Sequence, residues 1–278
     1  MNSIAQEEQQ RCPICGSDSV YIFTSRHNRR IFECSNTDCG HFFTPGLKDD
    51  QGVCIRGEDL EKESNASIEI FDERNKRLLD LFKTSLRDKP KPITFLDFGA
   101  GNAHLSRTFK RIMKADCVIY CLDANPLCEG LYPKYELNQV KSIQELPENV
   151  DFIYMIEVIE HLNDPISTLK VLRNVLKPGG MVFFSTPVGK RREVSTNAYE
   201  TPSHLHFFTP TSLNLALKAS GFTQVDFGFY PEMYPLPARS RMFRRVMTHA
   251  KFSIKQLLNK LPNTKNRLGH LVGLTRPV

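Results

Sequence analysis

The stretch Phe95–Ser106, FLDFGAGNAHLS, reads as a strand, a glycine turn and a helix start within twelve positions. That handover constrains the fold more than any other feature, because it is the opening half of a β-α-β unit. The same order repeats from Ile93 onward: ITFLDFGAG, LSRTFKRIMK, CVIYCLDANP, then VDFIYMI, a helix to Leu176, PGG and MVFFSTP. The alternation predicts an α/β domain whose parallel sheet carries helices on both faces. Gly99 and Gly101 allow the backbone to pass close to a ligand. Asp123 ends the next strand, 22 residues after Gly101, where a carboxylate commonly holds a ribose diol.

The ligand is not a dinucleotide by pattern. The fingerprint G-x-G-x-x-G needs glycine at position 104, and His104 stands there. Asp97, two residues before Gly99, would repel a pyrophosphate but attract an ammonium or sulfonium group.

Asp97, Gly99 and Gly101 form D-x-G-x-G, which resembles motif I of the class I S-adenosylmethionine-dependent methyltransferases. The resemblance implies their Rossmann-like seven-stranded sheet. Three later segments, EVIEHLNDP, LKPGGMVFFSTP and HLHFFTPTSLNLALKASGF, are similar to the subgroup that includes ubiquinone-pathway O-methyltransferases and enzymes of small-molecule and surface-saccharide biosynthesis. It spans about Ile68 to the C-terminus. It implies that Asp97, Gly99 and Gly101 bind the methionine portion of S-adenosylmethionine and that Asp123 holds the ribose. Two departures stand out. Ala103 replaces a frequent third glycine, and Ser142 and Ile143 occupy the place of the acid that contacts adenine in the family.

EVIEHLNDP, Glu157 to Pro165, puts Glu157, Glu160 and His161 at offsets i, i+3 and i+4. On a helix starting at a strand's carboxyl end, all three would face the cleft. One reading makes His161 a general base, with a glutamate orienting its ring. A second makes the three residues ligands of a divalent cation such as Mg²⁺, with His204 or His206 completing the set. E-x-x-E-H with a later histidine resembles the metal-coordinating set of the ubiquinone-pathway enzymes and of small-RNA terminal 2′-O-methyltransferases. A third reading leaves the acids as helix N-terminal charges and the histidine as packing. His204 and His206 alternate on an extended segment and so should point the same way, lining the pocket. Thr209 and Pro210 read as a capped helix start.

Ahead of this domain, Cys12 and Cys15 (C-x2-C) and Cys34 and Cys39 (C-x4-C) are separated by residues 16–33. Four thiolates so spaced suit tetrahedral zinc, each pair clamping one edge. Strand-like SVYIFTS and RRIFEC flank the turn RHN, which together predicts a zinc ribbon over residues 1–45. Similar ribbons precede some of the saccharide-pathway enzymes. All four ligands are cysteines, so the metal is expected to be structural. The segment is too short for a core of its own, and metal binding is expected to drive its folding.

Residues 46–67 are polar and read as a linker, leaving 68–278 for the methyltransferase domain. Residues 231–278 hold ten Lys/Arg against the single acid Glu232. Apolar residues from Phe243 to Leu261 recur there at helical spacing, which predicts a basic helical insertion near 237–265. Such a helix could cover the cleft, dock on anionic membrane or grip nucleic acid. No apolar run reaches the roughly 18 residues of a membrane span, and the polar start MNSIAQEEQQ is unlike a secretory signal, so a cytoplasmic enzyme is expected. The expected function is methylation of a hydroxyl on a sugar or other small metabolite. The alternatives are an RNA methyltransferase that uses the ribbon and basic helix on phosphates, and a non-catalytic scaffold that binds S-adenosylmethionine.

Overall fold

The computed structural model describes residues 10–25, 27–45, the helical positions 75, 76, 79 and 85–87, and residues 89–189, 203–223, 228–230 and 270–278. The linker and the basic segment near 237–265 lie outside the described residues.

Apolar runs become strands. β4 (Ile93–Phe98), β5 (Cys117–Leu122), β7 (Val150–Ile156) and β8 (Leu176–Pro187) pair in parallel, with short β6 (Asn138–Gln139) beyond β5. β11 (His270–Thr275) runs antiparallel beside β8, and β10 (Gly228–Tyr230), antiparallel to β11, closes that edge in the direction of the parallel strands. The order β10-β11-β8-β7-β4-β5-β6 is seven-stranded, as expected. The chain winds outward from β4 to β5 and β6, then crosses to β7 on the other side of β4, and this switch point places the crevice beyond the carboxyl ends of β4 and β7.

Each face is covered by helix. α1 (His104–Met113) lays Leu105 and Phe109 on one face, in a cluster with Phe95, Ile119 and Tyr154. α2 (Pro165–Asn174) and α3 (Pro210–Ala219) cover the other, where Leu169, Leu172, Leu213 and Leu217 meet Leu96, Ile153 and Phe184. Thr209 caps α3 through a reciprocal box with Ser212, and Pro210 opens it, as the sequence predicts. The base of the sheet is pinned by Asp151, which accepts from Thr94 N–H at 2.9 Å, Thr94 Oγ1 at 2.8 Å and Lys177 Nζ at 3.1 Å.

The cysteine module is a hairpin, β1 (Ser19–Thr24) with β2 (Arg30–Cys34), extended by β3 (Phe42–Phe43). Gly16 and Gly40 take positive φ just after the second cysteine of each pair, where the chain must turn sharply back. The module is not self-contained. Its sheet gains a fourth strand, β9 (His206–Phe207), from far along the chain. Cys12, Ile14, Phe32 and Phe43 are buried in the same cluster as Leu96 and Ile153.

One local expectation fails. No helix starts at Glu157. That residue takes φ 57°, a short 3-10 turn spans Ile159–His161, and α2 starts only at Pro165, capped by Asp164 accepting from Ser167 N–H. The capping aspartate followed by proline is the true start signal.

Candidate active site

At the end of β4 the chain bends back onto β5. The N–H groups of Gly99 and Ala100 donate to Leu122 C=O at 2.8 and 3.1 Å, and Gly101 N–H donates to Asp123 Oδ2 at 2.7 Å. Asp123 Oδ1 accepts from Asn125 N–H at 2.7 Å, so this carboxylate shapes the rim of the crevice. Gly99, Gly101 and Ala103 all have positive φ, which makes the turn tight enough to deliver α1. A Cβ on Gly99 would lie 2.5 Å from Val158 Cγ2, so the missing side chain admits Val158 from the next loop as well as a ligand.

Asp97 lies beneath this turn, 5% exposed, opposite Tyr154 of β7. Ser106 Oγ donates to its Oδ2 at 2.6 Å and sits 2.5 Å from Tyr154 Oη. Burial pushes the Asp97 carboxyl up to about 7, the Asp123 charge adds to this, and the Ser106 hydrogen bond opposes it. Among the described residues no cation pairs with Asp97.

Glu157, Glu160 and His161 are close in sequence but divide into two groups. Glu157 accepts from Ser185 Oγ at 2.6 Å and lies 2.8 Å from His270 Nε2, at the start of β11. Glu160 is fully buried, and its Oε2 accepts from Thr186 Oγ1 at 2.9 Å. Its Oε1 has no hydrogen-bond partner and faces His161 Nε2 and His204 Nε2, each at 4.0 Å. The ligand atoms of Glu160, His161 and His204 lie within 4.8 Å of one another. Burial, then the Glu157 charge, hold the Glu160 carboxyl well above its ordinary range.

His161 Nδ1 is 2.9 Å from Ser203 C=O. A carbonyl only accepts, so Nδ1 carries the proton and Nε2, toward Glu160, does not. Burial lowers the His161 pKa, which favours this neutral form.

His206 does not join this group. It is 4% exposed, and its Nε2 meets Leu162 C=O at 2.9 Å while its Nδ1 meets His41 Nε2 at 3.1 Å. The expectation that His204 and His206 share one direction fails because the segment enters β9 between them. Of the two histidines expected to complete the set, His204 lies in the cluster and His206 does not. Sequence reasoning also passed over Ser185, Thr186 and His270. The first two close β8, and the carboxyl-end rule marks that place. Nothing in the sequence marks His270.

Cys12 and Cys39 sulfurs are 3.9 Å apart and Cys15 and Cys34 sulfurs 3.4 Å. All four lie within 4.8 Å of one another. Zn–S bonds of about 2.3 Å require tetrahedral edges of roughly 3.8 Å, so the four sulfurs fit one such ion. The Cys39 hydrogen bond draws the Cys12 thiol down from its ordinary range, the direction that favours a thiolate ligand.

A cavity of about 630 Å³ runs along α1, lined by His104, Arg107, Lys110, Arg111, Lys114 and Lys134 among others. It contains none of the Glu160–His161–His204 atoms. No helix among the described residues is long and apolar enough to cross a membrane.

A family model described as a methyltransferase domain matches residues 70–226, more than half of the chain. The ubiquinone biosynthesis O-methyltransferase of Pseudomonas putida is 30% identical over 99 residues, covering 33% of this chain and 43% of that protein. The chain thus spans less than half the length of that relative. The protein of that name from Aliivibrio fischeri is 28% identical over 166 residues, 51% of this chain and 70% of its own. A solved structure of a SAM dependent methyltransferase from Archaeoglobus fulgidus superposes with a TM-score of 0.50 at 20% identity, covering 75% of this chain and 94% of that one. That last likeness is one of fold.

Proposed function

The chain belongs to the methyltransferase-domain family, and on that premise we propose that it moves a methyl group from S-adenosylmethionine to a hydroxyl of a small metabolite, sugars included. The relatives named O-methyltransferase support oxygen as the accepting atom. The observation that carries the cofactor is Asp97: a buried carboxyl with no cation beside it among the described residues, at the sheet's crevice. Such a group fits a ligand that brings positive charge and not one that brings phosphate.

S-adenosylmethionine supplies a methyl group activated by a cationic sulfur. Asp97 would balance the ligand's positive charge, with Ser106 holding the carboxylate in place. Gly99 and Gly101 keep the turn low enough for close approach. Asp123 would accept from the ribose hydroxyls with the lone pairs that Gly101 and Asn125 leave over. On the acceptor side, His161 Nε2 is unprotonated and suited to receive a hydroxyl proton as the oxygen attacks. Glu160 and His204 line the same space.

A second reading of that space rests on the orphaned Glu160 Oε1. A divalent cation held by Glu160, His161 and His204 would satisfy it and acidify a bound hydroxyl. Two imidazoles suit a transition-metal ion such as Mn²⁺ or Zn²⁺ better than Mg²⁺. The four cysteines are assigned to a structural zinc, with no position left open for water. The basic cavity along α1 favours an acceptor carrying phosphate, nucleic acid included. A steep salt dependence of RNA binding would support that version.

Calorimetry tests the core of the proposal. Binding of S-adenosylmethionine and S-adenosylhomocysteine is expected, with no uptake of a nicotinamide nucleotide. The opposite pattern overturns it. Turnover that survives a chelator, with the cysteine zinc still in place, removes the acceptor-side cation and leaves His161 as the base.

A further inference from the structure

Residues 203–209 are clamped on two sides. On one side lies the cysteine module: Phe42 pairs with Phe207 and Phe43 with His206, Thr44 N–H donates to Leu205 C=O at 3.0 Å, and Thr209 Oγ1 donates to Cys39 C=O at 3.3 Å. On the other lies the turn that carries Glu160 and His161. Leu205 N–H donates to Glu160 C=O at 2.8 Å, His161 Nδ1 to Ser203 C=O at 2.9 Å, and His206 Nε2 to Leu162 C=O at 2.9 Å.

One ring spans the two sides. His41, two residues past Cys39, is fully buried, with Nε2 3.1 Å from His206 Nδ1 and Nδ1 3.2 Å from Ser212 Oγ. Since Leu162 C=O can only accept, His206 Nε2 carries the proton and the Nδ1 of neutral His206 must accept one. His41 Nε2–H is the donor placed to supply it. Without that donor, His206 Nδ1 would be a buried acceptor with nothing to accept, which leaves its desolvation uncompensated. Moving its proton to Nδ1 would not relieve this, since it would leave a buried N–H with nothing to donate to and set a bare Nε2 against the Leu162 carbonyl, acceptor against acceptor. His206 would instead have to shift to find another donor, and the Leu162 carbonyl held by its Nε2–H would shift with it.

We propose that His41 is a positioning residue for methyl transfer: from within the cysteine module it supplies the donor that the Nε2–H form of His206 needs at Nδ1, and through the Leu162 carbonyl it sets the Glu160–His161–His204 group. This rests on the reading of that group as the acceptor side of a methyltransferase. It also gives the cysteine module a role in the chemistry beyond its own folding. The cofactor turn at residues 97–101 has no contact in this chain of hydrogen bonds, so the effect should fall on one substrate only.

The test uses the full-length, zinc-loaded protein, ¹⁵N-labelled, with S-adenosylhomocysteine as the probe of the cofactor side. His41→Phe keeps a ring against Phe43 and Phe208, which His41 approaches at centroid distances of 6.0 and 5.0 Å, but removes the donor. His41→Gln keeps a donor near the Nε2 position, and His41→Asn is too short to reach His206. The expected result is that all three retain zinc and bind S-adenosylhomocysteine within about threefold of the unmodified chain. Phe and Asn should shift the His206 Nδ1 signal and shift or broaden the His161 ring nitrogens, whereas Gln should preserve both signals. If His206 and His161 signals are unchanged in the Phe variant, or if Asn and Gln behave alike, His41 merely packs and the proposal is overturned. Should the Phe variant fail to fold, the Asn–Gln comparison decides. Failure of the unmodified protein to bind S-adenosylhomocysteine would instead sink the methyltransferase reading, and leaves the ring signals to judge the seam separately.

Discussion

Asp97 pulls stability and binding in opposite directions. Its carboxyl, raised to about 7 in the ligand-free fold, stands above the roughly 3.9 of an unfolded chain. The stability it contributes is therefore complete below about pH 4 and is lost as pH rises through 7. Asp97→Asn is expected to raise the melting temperature of the ligand-free protein at pH 8 and to matter little at pH 4. Cofactor affinity should run the other way, rising up to about tenfold per pH unit below 7 as the carboxylate forms, then levelling. The Asn variant should lose that slope and bind weakly at every pH, which calorimetry between pH 5.5 and 8 would show. His161→Ala separates the two halves of the site. Loss of a proton acceptor should lower turnover by about 10²–10⁴-fold while cofactor affinity stays within a few-fold, and full activity in that variant would remove His161 from the chemistry.

At the scale of elements, the turn between β4 and α1 is held as much by the loop after β7 as by its own glycines. In Gly99→Ala the new Cβ would sit at φ 75° and 2.5 Å from Val158 Cγ2. The expected cost is roughly 2–4 kcal/mol, from left-handed strain and overpacking together. Adding Val158→Ala leaves only its Cβ, 3.3 Å away, and should recover the packing part but not the backbone part. Denaturant midpoints of the two variants would show this, and equal losses in both would mean strain alone acts. Much of this region was legible beforehand. β4, β5 and β7 are largely apolar runs broken only by Thr94, Asp97 and Asp151, the glycines follow β4 directly, and Asp123 lies one residue past β5, so strand, turn and acid follow from local pattern. Residues 157–164 were not. Three titratable groups at helical offsets imitate a helix face, and the competing signal, Asp164 before Pro165, was the stronger one.

For the molecule as a whole, the cysteine module and the seven-stranded sheet share one buried cluster, so they should unfold together. Cys34→Ser should abolish tight zinc binding and lower the melting temperature of a single transition, while the folded fraction still binds S-adenosylhomocysteine within a few-fold. Two resolved transitions would show that the module folds independently. This union explains why the histidines after residue 203 defeated sequence reasoning. A strand of two residues carries almost no periodicity, and its partner, β3, lies more than 160 positions earlier. Alternation alone assigned His204 and His206 one direction. The register with Phe42 and Phe43 instead gives His204 to the cleft and His206 to His41.

That β9 belongs to the N-terminal sheet has a consequence for anyone trimming or grafting this chain. A fragment starting at residue 68 would retain Asp97, Gly99, Gly101 and Asp123, yet β3, the strand that pairs with β9 beside His204 and His206, would be missing. A head borrowed from a relative would serve only if it presented an imidazole and two aromatic residues at matching points, so head and body are expected to be inherited as a pair.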